Sequence, residues 1–139
     1  MATDSMTKPS RASLDALTRG TVVIVQFEPA MGSEQTKRRP AVIVSCDTLN
    51  RKLRTLVVVP ISGLEDETGK KRDPYLHEVE LASGAGGLKF RSAAQPIQIR
   101  TIDRDHRVTE ILGQLPPEVM VNISIKLVIV LGGAGVALP

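Results

Sequence analysis

The apolar residues of this chain come in short β-branched runs, and those runs limit the fold more than any other feature. Thr21–Phe27 (TVVIVQF), Ala41–Cys46 (AVIVSC) and Leu56–Ile61 (LVVVPI) are separated by polar stretches rich in Gly, Pro and charge. Runs of this length and composition read as strands and are too short for packed helices. Aromatic poverty tightens the constraint: with no Trp, one Tyr and two Phe in 139 residues, the core must be built from Val, Ile, Leu and Ala. The same shortage excludes an extended base-stacking platform, which needs more aromatic faces.

Between the runs the chain is punctuated. Residues 1–18 are polar and read as a flexible arm with a helical turn near Leu14–Leu17, leaving 19–139 as one domain. Residues 28–40 read as a polar loop, 47–54 as a turn and 63–74 as a mobile charged loop. Leu76–Leu81 is a half-exposed strand, Gly84–Gly87 a turn, and Ser92–Ile99 a weak strand broken by Pro96. Pro116-Pro117-Glu118 opens a helix of about four turns, because proline suits the first helical position and an acid suits the positive helix end. A mostly β domain of short strands closes most simply as a compact barrel, since closure removes strand edges.

Composition excludes several functions. One cysteine, Cys46, forms no internal disulfide framework and no cysteine zinc cluster. Two histidines, His77 and His106, cannot make a three-histidine metal site. We read His77 as a hydrogen-bonded structural side chain, His106 as solvated and Cys46 as a small buried hydrophobe. Residues 1–18 lack the apolar run of a signal peptide. The most apolar segment, Val119–Leu138, is interrupted by Asn122 and Lys126 and falls short of a membrane span. The expectation is a cytoplasmic protein with no membrane association. The net charge of +3 is compatible with a polyanionic partner.

The densest polar cluster beside a strong strand is Gly32-Ser33-Glu34-Gln35-Thr36-Lys37-Arg38-Arg39-Pro40. Pro40 fixes its own φ and restricts Arg39 to extended backbone. Arg39 is thereby anchored at the mouth of the sheet, where a guanidinium can grip a phosphate or a pentacoordinate transition state. Glu34 is a candidate general base. A solvated loop with a Glu–Arg surface pair explains the same residues. From Lys37 to Arg54 there are six basic residues against one acid, so Lys37, Arg38, Arg51, Lys52 and Arg54 are candidate phosphate contacts or simply a charged turn. Phe27 either stacks on a base or packs in the core, and Gln35 and Gln98 either read base edges or are solvated.

The ordered set of motifs resembles the MazF/PemK family of toxin endoribonucleases. Arg19-Gly20, Phe27-Glu28-Pro29, Gly32-Ser33-Glu34-Gln35 and Arg39-Pro40-Ala41-Val42 match its opening. Val57-Val58-Val59-Pro60-Ile61-Ser62, His77-Glu78-Val79-Glu80-Leu81, Gly87-Leu88-Lys89, Gln98-Ile99-Arg100-Thr101-Ile102-Asp103 and Gly113-Gln114-Leu115 follow in family order, from about Arg19 to Leu131. Thr21, Pro96, Ile97 and Ser62 depart from the common pattern, where Asp, an acid before Gln98 and Thr are frequent. These departures bear on base recognition more than on fold.

The resemblance implies an SH3-like β-barrel of the CcdB/MazF plasmid maintenance toxin type with a C-terminal helix. It implies a homodimer neutralised by a MazE-type antitoxin, and cleavage of single-stranded RNA without metal or other cofactor. By the same resemblance Arg39, Ser62 and Glu34 are the catalytic positions; on the surface around them Phe27, Ser33, Gln35, Lys37, Arg38, Arg51 and Gln98 are the candidate RNA contacts. A different class remains on the same fold: a non-enzymatic toxin that binds a protein target such as DNA gyrase.

Overall fold

A computed structural model describes residues 8–28 and 37–133. In chain order the elements are α1 (Arg11–Asp15), β1 (Thr21–Glu28), β2 (Lys37–Ile43), α2 (Asp47–Lys52), β3 (Thr55–Gly63), β4 (Val79–Leu81), β5 (Ser92–Ala94), β6 (Arg100–Asp103), α3 (Arg104–Arg107), β7 (Val108–Gln114) and α4 (Pro117–Val130). Short 3-10 turns at Ala85–Gly87 and Pro96–Gln98 precede β5 and β6.

The seven strands form one antiparallel sheet in the order β4-β5-β3-β2-β1-β7, with β6 also paired to β3. β3 is the hub. One flank takes β2, with Ala41 opposite Pro60; the other takes β6 along Thr55–Val58 and then β5 along Ile61–Gly63. Both faces are covered, which is why the central strands are almost continuously apolar. One face carries Val22, Val42, Val59, Ile61 and Leu81, covered by Leu115 and by Met120 and Ile123 of α4. The other carries Val23, Val25, Phe27, Ala41, Ile43, Leu56, Val58, Ile102 and Val108.

The sheet curls until its two ends meet. The turn after β4 lies against β7 so closely that a Cβ on Gly113 would stand 2.8 Å from the Gly86 carbonyl carbon. Closure is thus a backbone-to-backbone contact at three glycines, Gly86, Gly87 and Gly113.

Several expectations change. Residues 8–18 are not a free arm: Ser10 caps α1 by accepting from the Ser13 N–H at 3.1 Å, and Leu14 and Leu17 are buried in the second apolar cluster. Arg104 fixes this segment by donating to the Leu14 carbonyl at 3.0 Å. The polar stretch 28–40 already becomes strand at Lys37, and 47–54 contains a helix, α2. The loop 63–74 is tied down: Asp66 accepts from Thr68 and Lys70, Glu65 bridges to Lys71, and Arg72 N–H donates to the Leu64 carbonyl. The strand read at Leu76–Leu81 begins only at Val79, because Leu76 and His77 belong to a preceding turn. Cys46 is exposed at the start of α2. His77 stacks on Tyr75 at 5.8 Å, while His106 is exposed and pairs with Asp103. The C-terminal helix is present as expected, with Pro117 in its first turn. No helix among the described residues is long and apolar enough to cross a membrane.

Candidate active site

The start of β2 and the end of β3 lie at the same end of the sheet. The register pairs Ile43, Val42 and Ala41 with Val58, Val59 and Pro60. Two residues further along that register stand Arg39 and Ser62. Strand alternation turns both toward the face of Ala41 and Pro60. Arg39 is exposed there, held in strand by pairing with Val25. Arg100, opposite Val58 on β6, shares that face, and its guanidinium lies 4.9 Å from the Phe27 ring centre. Two arginines and a serine hydroxyl therefore crown one apolar layer.

Ser62 stands over a polar set built around the buried Glu78. Its Oγ accepts from Arg72 Nη2 at 3.4 Å and from Gln95 Nε2 at 3.3 Å. Both donors also hold Glu78, whose side chain is 1% exposed. Arg72 grips that carboxylate with two bonds of 2.9 and 3.0 Å, Gln95 Nε2 adds one at 3.0 Å, and the Tyr75 N–H one at 2.9 Å. Burial alone pushes the Glu78 pKa up; the hydrogen bonds from Arg72, Gln95 and Tyr75 together outweigh it and hold the group at about 2. The Arg72 guanidinium is shelved on Tyr75, 5.0 Å from the ring centre.

The structure brings only some of the expected residues together. Arg39 and Ser62 share an end and a face. Arg38 is exposed but alternation sends it to the opposite face. Lys37 begins β2. Gln98 is exposed in the turn between β5 and β6. Phe27 is 8% exposed and packs as a core residue beneath Arg100, so its ring is not an open stacking surface. Arg51 lies in α2, beyond the far end of β2, and about 13 Å of strand separates Arg39 from Ile43 alone. It is not part of this cluster. Ser33, Glu34 and Gln35 lie outside the described residues. Arg72, Glu78, Gln95 and Arg100 were not among the expected site residues. Arg100 and Glu78 lie within motifs that follow the family order, while Arg72 and Gln95 carry no local signal. Among the described residues no group of three His, Cys, Asp or Glu side chains could hold a metal ion.

Residues 18–131 match the model of the PemK-like, MazF-like toxins of type II toxin–antitoxin systems. The chain belongs to the MazF/PemK family of toxin endoribonucleases. Among curated family members, the endoribonuclease MazF of Staphylococcus saprophyticus is 33% identical over 114 residues, which are 82% of this chain and 90% of that protein. The crystal structure of MazF from Deinococcus radiodurans superimposes with a TM-score of 0.63 at 26% identity, covering 84% of this chain and 96% of that one. A mycobacterial endoribonuclease in complex with its cognate antitoxin has the same fold, with a TM-score of 0.61 at 21% identity over 89% of this chain and 98% of that one. The mostly antiparallel MazF fold with its C-terminal helix is thereby the fold of this chain.

Proposed function

We propose that this MazF-type toxin cleaves single-stranded RNA at short sequences, without a metal, by attack of the ribose 2′-OH on the adjacent phosphorus. The observation that carries the reading is an exposed, strand-anchored Arg39 at the same end and on the same face of the sheet as Ser62, where the β2–β3 register continued past Ala41 and Pro60 sets them. The O2′–P bond forms as the P–O5′ bond breaks, leaving a 2′,3′-cyclic phosphate and a 5′-OH. Glu34 takes the 2′-OH proton. Arg39 stabilises the charge developing on the phosphoryl oxygens and supplies a proton toward O5′. Ser62 hydrogen-bonds a phosphate oxygen. Placed cations and hydrogen-bond donors supply this stabilisation in the transition state, where it lowers the barrier. Arg100 extends the positive surface on which a phosphate backbone can lie. Gln35 and Gln98 contact bases, with Ser33 and Lys37 beside the backbone.

The partner class is a MazE-type antitoxin, by analogy with the antitoxin-bound relatives. A homodimer is supported by the exposed apolar stripe Val121, Ile125 and Val128 on α4. The cytoplasm, where both RNA and an antitoxin are met, is the fitting compartment. The test is incubation of the purified protein with a long single-stranded RNA in EDTA, with cut sites and end groups mapped and Arg39→Ala in parallel. Discrete cuts ending in cyclic phosphate, lost in the variant, are expected. Intact RNA at micromolar folded, antitoxin-free protein would refute the reading and turn attention to a protein target such as gyrase.

A further inference from the structure

The set beneath Ser62 has a direction. Glu78 is buried and receives only donors: two from Arg72, one from Gln95 and one from the Tyr75 backbone. A guanidinium has no acceptor. An amide has two faces, and the carboxylate decides which one it presents: the Gln95 NH2 must turn toward Glu78, because the reverse orientation would set two acceptors against each other. The same NH2 then reaches Ser62 Oγ at 3.3 Å, while Arg72 reaches it at 3.4 Å. Ser62 is therefore surrounded from below by donors. Both its lone pairs are engaged, and its single O–H points away from the network. The cost of the arrangement falls on Gln95 Oε1, which is buried and has no hydrogen-bond partner among the described residues. A buried acceptor left unsatisfied is expensive, and its orientation is held by the carboxylate on the other side of the amide.

We propose that Arg72, Glu78 and Gln95 are positioning residues that lock Ser62 as a hydrogen-bond donor, committing it to a nonbridging oxygen of the bound phosphodiester and barring it from accepting the 2′-OH proton. The inference rests on the phosphodiester reading of the site and adds the chemical role of one hydroxyl. It also divides the labour: since Ser62 cannot act as base, the 2′-OH proton must go to a different group.

The experiment uses the full chain and a short RNA containing one cleavage site mapped as above, prepared unmodified and with sulfur in place of each nonbridging oxygen in turn. Sulfur is a poor hydrogen-bond acceptor, so wild-type enzyme is expected to slow selectively on one diastereomer. Ser62→Ala is expected to lose about 100-fold in kcat on unmodified RNA, the scale of one lost oxyanion donor, and to lose the diastereomer preference. Gln95→Met, which keeps the side-chain length and removes the amide, and Glu78→Gln, which frees the amide to turn, are each expected to lose about 10-fold and to weaken the same preference. Adding Gln95→Met to Ser62→Ala is expected to cost nothing further, because the residues act as one unit. Gln95→Met carries the argument if Glu78→Gln fails to fold. A wild-type enzyme that cuts RNA with equal diastereomer rates, a preference undiminished in Ser62→Ala, or fully additive losses would overturn the proposal and leave the nuclease reading standing. Failure of the wild type to cut unmodified RNA would remove both.

Discussion

Arg104 is 1% exposed and faces no carboxylate among its hydrogen-bond partners. Its guanidinium instead donates to three carbonyls: Leu14 at 3.0 Å, Leu53 at 3.1 Å, and Asn50. Two of these end α2 and one belongs to α1, so one side chain closes the carboxyl ends of two helices. Burial lowers its pKa, but guanidinium starts so high that it remains charged at neutral pH. Replacing it by Met keeps the bulk and removes a charged donor from three carbonyls, of which Leu14 keeps a long bond from the Leu17 N–H. At about 1 kcal/mol for each hydrogen bond lost, the expected loss is about 3 kcal/mol. For a domain of this size that is a fall in Tm of roughly 12 °C. With a urea slope of about 1.5 kcal/mol/M it is a midpoint shift near 2 M. Urea titration followed by circular dichroism at fixed protein concentration measures it, since oligomerisation would otherwise add to stability. Arg104→Lys should fall between wild type and Met, because one ammonium cannot span both helix ends. Amide exchange in α1 should accelerate in both variants. A loss for Arg104→Met below about 0.5 kcal/mol would refute the reasoning, since relief of cation desolvation would then cancel the lost hydrogen bonds.

Three further outcomes are expected. Glu78 is depressed from 4.5 to about 2 in the folded protein, so it contributes stability above its unfolded value that is lost as pH falls from about 4.5 through 2. The full contribution is about 3 kcal/mol. Acid unfolding of Glu78→Gln should lack that component, and a midpoint and slope equal to wild type would contradict the assignment. Gly113→Ala should destabilise by about 1–3 kcal/mol in a urea titration, because its Cβ meets the Gly86 backbone at 2.8 Å and neither backbone can yield cheaply. Val121→Arg combined with Ile125→Arg should shift the species in light scattering from dimer to monomer with the helix intact by circular dichroism. An unchanged mass would place the interface elsewhere.

The strands were legible where β-branched residues face apolar layers on both sides, as in β1, β2 and β3. β7 was not, because Val108–Gln114 mixes Thr, Glu, Gly and Gln into a strand whose side chains are mostly half-buried. α2 has only six residues, too few for a helical period to declare itself. The burial of Leu14 and Leu17 was hidden because it depends on packing against strands β1 to β3 and on Arg104, some 90 positions away. The site divides along the same line. Arg39 and Ser62 sit in local motifs and could be read directly. Arg72, Glu78 and Gln95 converge only because β3 pairs with β5 and β5 with β4. Arg51 failed for the complementary reason: it is close to Arg39 in sequence, but a strand carries the two apart.

The contact between Leu14 and Arg104 also sets a timetable. The Leu14 carbonyl waits for a guanidinium encoded 90 residues later. At about 5–20 residues per second, a ribosome needs on the order of 5–20 s to supply it. Throughout that interval Leu14 and Leu17 lack the part of their apolar cluster that Ile102 and Val108 supply. A nascent chain of this toxin therefore shows helper proteins apolar surface that the finished molecule conceals.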